Sequence, residues 1–310
     1  MLMPSLVFSL LAAAAMWLFV RRNPATNPRL TATALVVLLI LPLLAFVPKI
    51  TIALGAGAES KAILGTTLLP ALWLIGFLVG AGRGLADLSA LHDWKKRSCS
   101  ANGHPVFESL QAELPIPDQV SLHLHPDLAS PVVCGLRRPQ IHLPLSSVTW
   151  SPATLRMAVL HELGHIQRGD LPLAALARLA CLFHWFNPAV WWLRRTFLAQ
   201  CEYACDAFLI EKGTDPRAYA HALCDVAVSG KHPPLSLAMA GHVPLRERIL
   251  VLSREVRSES TFPAVLLFLT ATSAIAMSVV RLVPANSHTS PAEPAMERYL
   301  RFTADPFPAD

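Results

Sequence analysis

Four uncharged apolar runs dominate the chain: Pro4 to Val20, Thr31 to Val47, Ile63 to Ala81 and Phe262 to Val280. As a helix, each is about long enough to cross a hydrocarbon core of ~30 Å. Four such runs predict a membrane protein with four spanning helices. Composition agrees, because 53% of the 310 residues are hydrophobic and only 15% are charged, a balance outside the soluble norm. A cleaved signal peptide is the other reading of the first run. No basic residue precedes that run, however, and Arg21 and Arg22 follow it, which is the wrong order for a signal peptide.

Lys and Arg collect on the cytoplasmic side of membrane proteins. The short loop with Arg21, Arg22 and Arg29 and the stretch with Arg83, Lys95, Lys96 and Arg97 therefore both belong inside. The expected organisation is three spans within residues 1–83 (about 4–20, 31–47 and 63–81), a cytoplasmic segment 84–260, a fourth span within 261–283 and a short tail 284–310. The N-terminus, the loop from Pro48 to Ala62 and the tail are then extracytoplasmic. Much of the net charge of +5 flanks the spans, where anionic headgroups account for it, so no nucleic-acid partner is expected. The six cysteines all fall between Cys99 and Cys224 and are expected to be free thiols in a reducing compartment. With no phosphate-cradling glycine loop, a nucleotide enzyme is not expected.

Within the cytoplasmic segment, Val120 to His125, Val132-Val133 and Gln140 to Leu143 read as short strands of a hairpin or small sheet, separated by Pro and Gly. Three helices open with a capping residue followed by proline: Ser151-Pro152, Asn187-Pro188 and Asp215-Pro216. Gly169 and Gly213 are natural stops for the first two, since glycine adopts the left-handed conformation without a Cβ penalty. Leu171 to Phe186 is strongly apolar and runs on into Val190-Trp191-Trp192, but Arg178, His184 and Asn187-Pro188 interrupt it. It is expected to be buried in the domain or to lie at the membrane interface, where Trp rings are at home, rather than to form a fifth span.

His161-Glu162-Leu163-Gly164-His165 is an H-E-x-x-H motif inside the helix opened by Pro152. Residues four apart share a helix face, so both imidazoles can reach one Zn2+. Glu162 is rotated ~100° from His161, in reach of a water at the metal without being a ligand. A catalytic zinc takes three protein ligands, and Glu202, on the helix opened by Pro188, is the best candidate for the third. Asp206, one turn further on, is placed to accept the free ring N–H of a ligand histidine and fix its tautomer. Asp170 can do the same for the other histidine, or simply cap the next helix. Cys201 and Cys205 share a stripe of their helix and read as packed core thiols.

The chain resembles the BlaR/MecR-type antirepressor metallopeptidases of bacterial membranes. The likeness rests on Gly135-Leu136-Arg137-Arg138-Pro139-Gln140-Ile141-His142-Leu143-Pro144, on the H-E-x-x-H motif with Asp170, on Phe186-Asn187-Pro188, on Glu202 with Ala204-Cys205-Asp206, and on Arg248-Ile249. It implies a mainly α protein of the bacterial inner membrane, with four transmembrane helices and a cytoplasmic α+β zincin domain. It also implies His161, His165 and Glu202 as ligands, Glu162 as base, and a protein substrate in signalling, typically a transcriptional repressor. The best-known members carry a penicillin-binding sensor domain after the last span. Here only about 27 residues follow that span, so β-lactam sensing through such a domain is not expected.

Hydrolysis of a peptide bond is the expected reaction, with the segment from Cys134 to Leu143 aligning substrate as an added strand. Tyr219, His242 and Arg246 are the candidates for stabilising the oxyanion. The rival readings are an HtpX-type membrane quality-control peptidase and a non-catalytic zinc-binding membrane sensor or scaffold. An intramembrane protease fits less well, because Arg156, Gln167, Arg168 and Asp170 make the motif helix polar.

Overall fold

The computed structural model describes residues 2–22, 27–42, 50–54, 63–114, 119–226, 244–252, 268, 270–272, 274–275 and 280–284. Most of the expected fourth span, His242 and the tail beyond Pro284 lie outside these residues. The first and third apolar runs are helical where described and the second is helical to Ile40: α1 is Leu2–Arg22, α2 is Pro28–Ile40 and α3 is Ile63–Lys96. Asn27 caps α2 by accepting from Arg29 N, and proline follows at the first helical position.

Of the described helices, α3 alone is long and apolar enough to cross a membrane, over Pro70–Lys96; α1 and α2 are shorter apolar helices. α3 runs past residue 83 without a break. Beyond Gly84 come Leu, Ala, Ser, His, Trp and charged residues with no further Gly or Pro before residue 97, so nothing local stops the helix. Hydropathy marks where lipid ends, not where a helix does. At 34 residues α3 is about 51 Å long, and Lys95 and Lys96 in its last turn complement the dipole.

A small mixed sheet follows. Strands β2 (Cys99–Ser100), β3 (Ser121–His125), β4 (Val132–Cys134) and β5 (Gln140–Pro144) are arranged in the order β2-β3-β5-β4, and α4 (Pro105–Glu113) lies between β2 and β3. β3 and β5 are parallel, while β4 and β5 form the antiparallel hairpin, turned through Gly135 at φ 98°. One sheet face, with Leu122, Val133, Ile141 and Leu143, packs into the core with Phe107 and Leu110 of α4. Each such fully buried side chain contributes roughly 1.5–3 kcal/mol. The other face carries His123, His125 and His142 and meets the end of α3. There Trp94 stacks on His125 at 4.0 Å between ring centroids and tilts against His142 at 4.8 Å.

Helices α5 (Pro152–Arg168), α6 (Asp170–Phe183), α7 (Pro188–Glu211), α8 (Pro216–Val226) and α9 (Leu245–Leu252) complete the domain. The expected caps are present. Ser151 accepts from Thr154 N, Asn187 from Ala189 N and Asp215 from Ala218 N, while Gly169 ends α5 in the left-handed conformation. The apolar segment 171–193 folds as the α6–α7 hairpin, which packs against α1, α2 and α3. Far away in sequence, a strand β1 (Ile50–Leu54) pairs in parallel with β6 (Val280–Pro284).

Candidate metal centre

Close packing of α5 on α7 creates the site, and Gly164 permits it. A Cβ there would stand 3.2 Å from Phe208 Cδ1 and 3.3 Å from Cys205 Sγ, so a larger residue would require these two side chains to give by a few tenths of an ångström. Across this contact His161, His165 and Glu202 converge, all buried, with ligand-type atoms within 4.8 Å of one another. His161 Nε2 lies 3.5 Å from Glu202 Oε2, and His165 Nε2 lies 3.4 Å from Glu202 Oε1. Two ligands at zinc-like bond lengths of about 2.0–2.2 Å in a tetrahedron are ~3.4 Å apart. Each histidine–carboxylate gap therefore matches a zinc-sized ion, and two imidazoles with one carboxylate are a donor set that zinc takes.

Each imidazole is held by its other nitrogen. His165 Nδ1 is 3.0 Å from Asp170 Oδ2, and that carboxylate also accepts from Arg168 Nε at 3.2 Å. Burial alone would raise Asp170, but the His165 hydrogen bond and the Arg168 charge outweigh it and hold the carboxyl below its usual range. It thus stays an acceptor, which fixes the proton on Nδ1 and leaves Nε2 free to ligate. On His161, the Nδ1 partner is Tyr219 Oη at 3.0 Å, with Asp206 Oδ1 at 3.4 Å. Tyr219 in turn donates to Asp206 Oδ1 at 2.7 Å. Asp206 therefore acts on His161 chiefly through Tyr219.

Arg248 of α9 closes the arrangement from below. Its Nε donates to Asp206 Oδ2 at 2.9 Å, its Nη2 reaches both Asp206 Oδ1 and Tyr219 Oη, and its Nη1 lies 3.3 Å from Glu202 Oε2. Burial would raise Glu202, yet the two histidines facing it and the Arg248 charge hold it well below the normal carboxylate range. Glu162 shows the opposite balance. It is buried, and desolvation pushes it up despite the two nearby histidines, in the direction a general base working near neutrality requires.

Cys205 Sγ lies 3.2 Å from His165 Nδ1 and 3.8 Å from Asp170 Oδ2, and burial pushes its thiol up to about 11. His165, Asp170 and Cys205 form a second cluster of metal-ligand type, but it uses the opposite ring nitrogen and a carboxylate already bonded to Arg168. It backs the first cluster. Strand β4 is at the sheet edge, and its Cys134 lies near enough to Glu162 and Lys95 to feel both charges.

Of the three oxyanion candidates, Tyr219 is on the Nδ1 side of His161, away from Glu202, where it orients the ring. Arg246 is exposed. That Tyr219, Arg248 and Cys205 help to hold the cluster is not evident from sequence. One signal is available for Arg248: the two carboxylates Glu202 and Asp206, one turn apart in an apolar helix, need a cation, and Arg248 precedes the apolar run Ile249-Leu250-Val251-Leu252.

The family model described as BlaR1 peptidase M56 matches residues 30–252. The regulatory protein BlaR1 of Bacillus licheniformis is 28% identical over 152 residues, covering 48% of this chain and 25% of that protein. The methicillin resistance mecR1 proteins of Staphylococcus aureus and Staphylococcus epidermidis are each 31% identical over 88 residues, covering 28% of this chain and 15% of the relative. The chain thus spans a quarter or less of the length of these curated relatives.

Proposed function

The chain belongs to the BlaR1 peptidase M56 family, and on that premise we propose that it is a membrane-anchored zinc endopeptidase that cuts a cytoplasmic transcriptional repressor or similar regulator. The observation that carries this reading is the buried His161–His165–Glu202 triad, spaced at 3.4 and 3.5 Å, with Glu162 beside it. When bound, zinc supplies Lewis acidity, polarising a carbonyl and acidifying a water. His161, His165 and Glu202 hold it, while Asp170 and the Tyr219–Asp206 pair keep each ring in the ligating tautomer. Glu162 takes the proton from the attacking water and later passes it to the leaving amine. The edge strand β4 aligns the substrate backbone beside Glu162.

In this reading α1, α2, α3 and the run Phe262–Val280 cross the bilayer with the peptidase domain inside and both termini outside. The parallel pairing of β1 with β6 supports it, because that pairing needs the loop after α2 and the segment after the last run on one side. The name of the Bacillus relative, a regulatory protein, supports a signalling substrate. The test uses the full chain, wild type and Glu162→Gln, with zinc content measured and candidate repressors offered as substrates. Zinc in both and cleavage by wild type alone is the expected result. Equal cleavage by both would remove Glu162 from the mechanism, and a wild type without zinc would overturn the ligand assignment.

A further inference from the structure

We propose that the α6–α7 hairpin is a re-entrant membrane element, its tip dipping among the lipid acyl chains beside α1, α2 and α3 and returning without crossing. This rests on the reading of α1–α3 as membrane helices. Its tip, Trp185 to Asn187, is locked to two of them. Asn187 Nδ2 donates to Ser9 Oγ of α1 at 2.7 Å, and Trp185 Nε1 donates to the Trp73 carbonyl of α3 at 3.3 Å. The fit against α3 is close, since a Cβ on Gly76 would come within 2.1 Å of the Trp185 ring.

The backbone of the turn is finished as lipid requires and water does not. Irregular backbone at membrane depth is tolerated only where protein satisfies its polar groups. Here the Phe183 carbonyl accepts from Trp73 Nε1 at 2.9 Å, the Trp185 carbonyl from Trp191 Nε1 at 3.1 Å, and the His184 carbonyl from Asn187 N at 2.9 Å. Between Leu171 and Arg194 every exposed residue is apolar: Pro172, Leu176, Leu179, Pro188 and Trp191.

Three independent gauges agree on how deep the tip goes. Ser9 precedes the basic Arg21 by twelve residues and Trp73 precedes Arg83 by ten, or about 18 and 15 Å along their helices. On the hairpin itself, Arg178 stands seven residues before Trp185 and Arg194 seven after Asn187, or about 10 Å. All fall well short of the ~30 Å core, and the two arginines are left at the level of the inner headgroups. Thr31 Oγ1, two residues from Arg29, bonds Gln200 at 2.7 Å, so the metal cluster at Glu202 lies at the inner membrane surface.

The test places single spin-labelled cysteines in the full chain in lipid vesicles, in a Cys99→Ser, Cys224→Ser background. The positions are Leu179→Cys and Pro188→Cys on the hairpin, Leu78→Cys on the exposed face of α3, and Ser146→Cys on the domain surface. Collision with oxygen reports lipid and collision with a water-soluble nickel chelate reports water. Oxygen contact several-fold above nickel contact at 179 and 188, as at 78, with the reverse at 146, is the expected result. Lipid contact at 78 with water contact at 179 and 188 overturns the proposal and leaves the membrane reading standing. Water contact at all four positions removes both. Trp191→Cys, exposed and on the tip side of Arg194, replaces any hairpin variant that no longer retains zinc.

Discussion

Replacing Arg248 by methionine tests the charge balance of the metal centre. The side chain is of similar reach, so the volume is largely kept while the cation is lost. Asp206 then loses both of its guanidinium contacts, Tyr219 loses one and Glu202 loses its neighbour at 3.3 Å. Removing one partner of a buried ion pair costs about 3–5 kcal/mol. In a domain of this size each kcal/mol moves the unfolding midpoint by roughly 2–4 °C, so the metal-free variant should melt about 6–20 °C below wild type. Zinc restores positive charge at Glu202 but not at Asp206, so the gap should narrow, without closing, when zinc is present. Arg248→Lys, which keeps the charge but not the two-pronged geometry, should fall between. Thermal unfolding of the full chain in detergent, with chelator and with zinc, reads all of this. A metal-free Arg248→Met protein melting within about 2 °C of wild type on the same scale would refute the argument that this cation holds the carboxylates. A gap that widens with zinc would refute the compensation.

Asp170→Asn removes the charged acceptor that fixes the His165 tautomer. Zinc affinity, measured by competition with a chromogenic chelator, should fall about 10–100-fold, and unchanged affinity would mean that Asp170 only caps α6. His142 offers a pH test away from the metal. Its Nε2 is buried without a partner, and burial, then repulsion from His123, Lys95 and His125, pushes it down to about 3. The unfolded chain therefore binds a proton that the folded one refuses. The stability this histidine contributes is complete above about pH 6.5 and is lost as the pH falls toward 3. Between pH 7 and 5 wild type should lose about 2 kcal/mol more than His142→Asn, and equal losses in a melting series would refute the assignment.

The parts of this molecule governed by near neighbours were legible in the sequence. Capping side chains followed by proline located the starts of α5, α7 and α8, and the four-residue period of the motif put His161 and His165 on one face. Glu202 could be picked out because a carboxylate in an apolar helix needs a reason. What was not legible depends on contacts between distant segments. A hairpin would have paired β3 with its neighbour β4, but the apolar Leu122 and Leu124 instead lie beside Ile141 and Leu143 of β5, and this leaves β4 at the edge. Tyr219 and Arg248 reach the centre from α8 and α9, whose positions are set by packing. The segment 171–193 was ambiguous because an apolar helix buried in protein and one buried in lipid read alike.

The pairing of β1 with β6 makes the chain between them a stitched loop. Residues 55–279, which include every member of the metal centre, leave one strand and return to the other. A single nick between α3 and α6 would yield two pieces that remain sewn together at the seam and by the packing of α2 on α6 and α7. The halves would travel as one molecule until a denaturant opened the seam. Any switching caused by such a cut would have to come from slack introduced into the loop, not from a fragment drifting away.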